Sequence, residues 1–208
     1  MIPVPRIWPG ATVAILAGGP SLTAGQAEDV ARAGARTIAV KDAIRIAPWA
    51  GVLYGGDAKW WGHHGPSLSA YAGPRYGIEP YSPTPDPARW GVAVLRNTGQ
   101  VGLETDPSGL RTGKNSGYQA VNLAVHLGAA RIVLLGFDMQ PDGQDRHHWF
   151  GAHPYRTADP PYRDFREMFK TIVEPLQALG IEVLNATPGS ALDSFPRVAL
   201  ADALQAAA

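Results

Sequence analysis

Apolar residues in this chain gather in short unbroken runs separated by stretches of helical spacing. Ala11–Ala17 (ATVAILA), Arg36–Val40 (RTIAV), Gly51–Tyr54 (GVLY), Ile132–Leu135 and Ile181–Leu184 are the runs. A short continuous apolar run bounded by turn residues reads as a strand buried on both faces, as strands of parallel sheets are. Between the runs the period changes. Ser21 or Thr23 is placed to cap a helix running to about Ala33, with Gly34 as its stop. Tyr118–Leu127 sets Ala120, Leu123, Ala124 and Leu127 on one face, and Gly128 closes it. Pro161–Leu179 carries Tyr162, Phe165, Phe169 and Ile172 at helical spacing. Pro175 is expected to kink this helix and Gly180 to end it. The alanine-rich tail, Ala199–Ala208, is expected to be helical. The order of strand, turn, helix and strand predicts one α/β domain over residues 1–208, with a mainly parallel sheet flanked by helices.

Residues 62–112 break the pattern. Pro66, Pro74, Pro80, Pro83, Pro85, Pro87 and Pro107 punctuate them, and helical periodicity is absent. We expect an irregular Gly/Pro-rich insertion running over the sheet, with Gly91–Leu95 as one more strand. Such excursions are natural places for substrate contacts.

Composition narrows the chemistry. With 18 basic and 18 acidic side chains the formal charge is zero, so any nucleic-acid contact has to be local. The absence of cysteine removes disulfides, thiolate metal sites and a thiol nucleophile. The 24 glycines and 19 prolines are unusually many. The start, MIPVPRIWPG, has no long apolar region of the kind a signal peptide carries, and the apolar runs are too short for a bilayer. A cytoplasmic protein without a membrane partner is expected. The oligomeric state is open, with a homo-oligomer allowed.

Each apolar run ends in glycines or polar residues: Gly18-Gly19-Pro20-Ser21, Lys41-Asp42, Gly55-Gly56-Asp57 and Gly136-Phe137-Asp138. In an open parallel sheet these carboxyl ends share one rim, where ligands bind at the topological switch point. The Gly18–Ser21 turn lets backbone approach a ligand, and the helix after it offers N–H groups suited to phosphate. The turn is neither a Walker loop nor GxGxxG, so an ordinary strand-to-helix turn is the competing reading. Asn115-Ser116-Gly117 opens another helix, either as a simple N-cap or as a donor set for a nucleotide, with Lys114 beside it. Arg146-His147-His148-Trp149-Phe150-Gly151-Ala152-His153 holds half of the six histidines. A histidine base and a solvated loop are the two readings of this segment. A metal site needs His148, His153 and Asp138 or Asp57 to converge. No HExxH-type spacing supports one, and no metal ligands are assigned. His63-His64 reads as loop. Trp60-Trp61 and Trp149 read as core or lid packing, with a ligand platform as the other possibility.

Four segments, in order, resemble a known superfamily. ILAGGPSL looks like the GxGPSL turn of bacterial sialyltransferases of the Campylobacter type. It also looks like the same turn of the related DUF115 family of motility accessory factors and archaeal hydroxymethylpterin pyrophosphokinases. NSGYQAVNLAVHLGAARIVLLGFDM is similar to their second signature, HWFGAHP to a His-aromatic-x-Gly-His segment, and VLNATPGSALDSF to their last strand and tail. The resemblance covers roughly residues 11–60 and 113–198. It implies a Rossmann-like sheet of the glycosyltransferase type A variant. It also implies a nucleotide or nucleotide sugar held by Gly18, Gly19, Pro20, Ser21, Asn115, Ser116 and Gly117. The base maps onto His148, with His153 second, and would deprotonate a hydroxyl acceptor, a glycan or a modified nucleobase. Short chains of this type resemble phage or prophage proteins.

The departures are specific. Gly18, Lys41 and Gly55–Gly56 stand where the sialyltransferases carry asparagines. Only Gln140 to Arg146 separate the Gly-x-Asp strand from the histidines, with no lid tyrosine. A different nucleotide is therefore expected, with Lys41, Lys59 or Arg146 meeting its phosphate charge and Asp42 and Asp57 beside it, while Asp138 is grouped with His148 and His153 as catalytic. The superfamily also implies a second reading, diphosphate transfer to a pterin-type hydroxymethyl group. That reaction would need Mg²⁺ on Asp57 or Asp138. The missing tyrosines favour a third, a non-catalytic nucleotide- or partner-binding module.

Overall fold

A computed structural model describes residues 3–79, 86–155 and 157–205. Pro80, Pro83, Pro85 and the last three alanines of the expected helical tail lie outside these residues.

The runs become strands at the expected places: β1 (Thr12–Leu16), β2 (Arg36–Val40), β3 (Val52–Tyr54), β7 (Arg131–Leu135) and β8 (Glu182–Asn185). Their continuous apolar character follows from burial on both sides. Val13 and Ile15 of β1 join one core and Ala14 and Leu16 the other. Ile132 and Leu134 of β7 divide from Val133 and Leu135 in the same way. α1 (Ala24–Arg32) begins at a capping box in which Thr23 and Gln26 satisfy each other's backbone N–H. α3 (Ser116–Leu127) ends at Gly128 with φ of 105°. α4 (Tyr162–Ala178) continues through Pro175, which sits in its last turn. α5 covers Leu200–Leu204.

Residues 62–112 correct the expectation of an excursion over the sheet. They extend it. β4 (Arg75–Ile78), β5 (Val92–Asn97) and β6 (Gly109–Leu110) add three parallel strands beyond β3. α2 (Ala58–His64) precedes them, so His63 and His64 are helical. β4 is viable despite a charged residue because Arg75 donates to the carbonyls of Leu68, Tyr71 and Trp90. Trp60 and Trp61 are core residues, 1% and 0% exposed. Trp60 Nε1 donates to Asp42 Oδ2 at 2.8 Å and Trp61 Nε1 to the Gly55 carbonyl at 2.8 Å.

The result is one parallel sheet in the order β6-β5-β4-β3-β2-β1-β7-β8, flanked by helices in a Rossmann-like arrangement. The chain builds outward from β1 to β6, then crosses back through α3 to lay β7 on the free side of β1. The switch point is the seam between β1 and β7. Among the described residues no helix is long and apolar enough to cross a membrane.

Candidate functional site

A cavity of about 820 Å³ opens over that seam, within the range of small-molecule sites. Its floor is the carboxyl ends of β1, β2, β3 and β7: Ala17-Gly18-Gly19, Val40-Lys41, Gly56-Asp57 and Gly136-Phe137. The first turns of α3 and α4 close one side and the loop from Asp145 to Tyr155 the other. Among the described residues, four that are not glycine adopt left-handed backbone: Lys41, Lys114, Met139 and Asp145, with φ from 52° to 62°. All four line this cavity. Such strain persists only where the surroundings over-determine it, and it clusters at ligand sites.

The first turn serves the site differently from the expectation. Gly18 and Gly19 line the cavity, whereas Pro20 and Ser21 turn away from it. α1 starts only at Ala24, so its N–H groups do not face the cavity. The Gly19 N–H donates to the Gly136 carbonyl at 2.9 Å, and the Ser21 N–H donates to Asp138 Oδ1 at 3.1 Å. Asp138 is 7% exposed and off the cavity wall, where it ties the β1 turn to the β7 turn. Burial pushes its carboxyl above the usual range. A Cβ on Gly19 would sit 1.9 Å from Asp138 Oδ2 and 2.5 Å from the Gly136 carbonyl oxygen. Gly19→Ala is expected to destabilise the protein by about 1–3 kcal/mol, as overpacking does, and to abolish ligand binding. Gly143→Ala, with open space around it, is the matched control in a urea titration.

The helix donors come from α3. Asn115 acts as its N-cap, with Oδ1 accepting from the Tyr118 N–H at 2.9 Å. The Ser116 and Gly117 N–H groups stay without a partner among the described residues, and both residues line the cavity. The capping and ligand-donor readings of Asn115-Ser116-Gly117 are therefore compatible. Gly56 is needed here because a Cβ on it would meet Gln119 Oε1 at 2.0 Å and Ser116 Oγ at 3.2 Å.

The cations differ in availability. Lys114 pairs with Asp164 at 2.8 Å and Arg146 with Asp142 at 2.6 Å. Lys41 is half-buried, and no carboxylate of the described residues comes within ion-pair distance of it. Burial lowers its pKa against the raising influence of Asp57 and Asp42. Asp42 points away from the cavity to Trp60, Arg45 and His64. Asp57 lines the cavity while its Oδ1 caps α2 through the Lys59 N–H at 2.8 Å. Among the described residues no three His, Asp or Glu side chains converge as metal ligands.

His148 lies over the first turn, its ring stacked on Phe150 at 4.9 Å and meeting His153 edge-on at 4.8 Å. Its Nδ1 is 3.3 Å from the Gly18 carbonyl, which can only accept, so Nδ1 carries the proton and Nε2 is left as the basic atom. Burial, with His153 and Lys41 adding to it, pushes this imidazole down to about 4. Burial also lowers His64, His126 and His153. A histidine depressed in the folded state binds fewer protons there than in the unfolded chain, between the two pKa values. Stability is thus full above the ordinary value of 6.5 and lost as pH falls toward about 4. Asp138, raised, acts in the opposite sense only above its ordinary 3.8 and below its raised value. The urea midpoint is expected to drop between about pH 7.5 and about pH 5. Equal midpoints would show that the histidines are not desolvated.

Several lining residues escaped sequence reasoning. Tyr155 and Tyr162 supply hydroxyls after the histidines rather than before them. Tyr162 stacks on His147 at 5.8 Å, with its hydroxyl 3.1 Å from Nδ1. Phe165 follows one turn along α4, and Thr112 and Gln119 complete the wall beside α3. The signal that could have found Tyr162 is Pro160-Pro161, which fixes the start of α4. No family model matches this chain, and no curated protein matches it either.

Proposed function

We propose that the cavity binds a nucleotide or nucleotide sugar, and that the protein is a nucleotide-sugar-dependent transferase using His148 as base. The observation that carries this reading is convergence. Unpartnered N–H groups at the start of α3, the Gly18-Gly19 turn and an imidazole with a free Nε2 share one cavity at the switch point. The N-termini of α3 and α4 bring positive dipole ends to an anion. His148 Nε2 would take the proton of an acceptor hydroxyl as that oxygen attacks the sugar carbon and the nucleotide phosphate departs.

Tyr155 and Tyr162 line the cavity, which weakens the argument from missing tyrosines for a non-catalytic module. Diphosphate transfer with Mg²⁺ is less well supported. Asp138 stands behind Gly19, and Asp57 is engaged as a helix cap. Calorimetry across a panel of nucleoside mono- and diphosphates and nucleotide sugars is expected to find a binder among them. No binding by any member would sink the proposal.

A further inference from the structure

We propose that the cavity wall over β2 and β3 is a phosphate subsite in which Lys41 Nζ, the Tyr155 hydroxyl and the His153 imidazole receive one phosphate group of a substrate, with uptake of a proton. The inference deepens the nucleotide reading and rests on it for the identity of the molecule carrying the phosphate.

Three observations carry it. Lys41 is held in left-handed backbone with φ of 52° at the end of β2, and among the described residues it has no ion-pair partner. Among the described residues the other two cations on the wall, Lys114 and Arg146, are paired. The Tyr155 hydroxyl and His153 Nδ1 are both buried without a hydrogen-bond partner among the described residues. A buried polar atom left unmade costs free energy that a ligand can return. The two rings belong to one stack: His153 lies on Tyr155 at 5.2 Å and 21°, and Tyr155 is tilted against His63 at 5.8 Å. An ammonium, a phenol and a protonated imidazole donate hydrogen bonds together only to an acceptor-rich anion.

The charges around the subsite define the proton traffic. Lys41, His148 and His64 bear on His153 as like charges, and Asp42 and Asp57 oppose them. Without ligand, burial and Lys41 keep the imidazoles of His153 and His148 neutral. An arriving phosphate reverses the local sign and favours the imidazolium. Once the ligand is the dianion, phosphate therefore binds more weakly as pH rises further.

The test is calorimetry of inorganic phosphate with the full chain at about pH 8, where the ligand is mainly the dianion and has no proton of its own to give, in two non-phosphate buffers of different ionisation enthalpy. Proton uptake is expected. Lys41→Met and Tyr155→Phe should each weaken binding by about tenfold, with unchanged circular dichroism. Phosphate bound as tightly by both variants as by the natural chain, or bound without proton uptake, overturns the subsite. If Lys41→Met does not fold, Tyr155→Phe alone decides. Repeating the titration at saturating nucleotide separates the two sources of the phosphate. Competition assigns the subsite to the donor and simultaneous binding to the acceptor, and both outcomes keep it. Lys41-dependent phosphate binding with no nucleotide bound would leave the subsite standing and remove the transferase. Nucleotide binding indifferent to Lys41, with no phosphate binding, would do the reverse.

Discussion

In the proposed transferase, His148→Ala is expected to lower turnover by about 10²–10⁴-fold while nucleotide affinity changes little, the span for removal of a general base. The reason is geometric. The ring is fixed by Phe150 and by the Gly18 carbonyl, which leaves Nε2 unprotonated on a residue that lines the cavity. The pH profile separates this role from packing. Neutral imidazole is the active form, so rate rises with pH. In the free protein His148 titrates at about 4, which places the acid limb of kcat/KM there. In the complex the bound phosphates raise that pKa, and the acid limb of kcat moves upward. A variant that lost KM and kcat together, with no change in the acid limb, would mark His148 as a packing residue.

Trp60→Ala is expected to cost about 3–5 kcal/mol, the range for emptying a large aromatic site. Trp60 is 1% exposed and sits edge-on to Trp61 at 4.9 Å, beneath the loop after β2. Trp60→Phe keeps most of the volume but leaves the buried Asp42 carboxylate without the indole N–H. That loss is worth about 1–3 kcal/mol. It also loosens the segment holding Lys41, so phosphate binding should fall with stability. Trp49, 42% exposed, is the control, and Trp49→Ala should change the urea midpoint little. A Trp60→Phe protein of natural stability would show that the Asp42 bond is dispensable.

The sequence carried the central strands clearly because each is a continuous apolar run with a glycine or charged stop. In the outer half it placed β5, expected at Gly91–Leu95 and found at Val92–Asn97, and missed β4, β6 and α2 for want of length. β4 is four residues with Arg75 at its head, β6 is two residues, and α2 is seven with Gly62 inside it. Periodicity cannot register in segments so short. The rim of the site was legible because strand ends in a parallel sheet share one edge. Which residues of a strand-end cluster turn inward was not legible. Lys41 lines the cavity and its neighbour Asp42 does not, and Gly19 lines it while Pro20 does not. Tyr155 and Thr112 reach the cavity from loops distant in sequence. The position of a turn in sequence says where the backbone bends and not what the tertiary packing brings opposite it.

The strand order has a consequence for synthesis. β1 to β6 pair with successive neighbours, so each can be laid down as it leaves the ribosome. The partner of β1 on its other side, β7, follows more than a hundred residues later. Until then the free edge of β1 exposes unpaired N–H and C=O groups and an apolar sequence, the features that recruit a neighbouring chain. The cavity is assembled in the same late step, since its roof from Asp145 to Tyr162 follows β7. A nascent chain is thus unable to hold ligand while it is most vulnerable to aggregation. Any ligand the cavity takes can be held only after that edge is sealed.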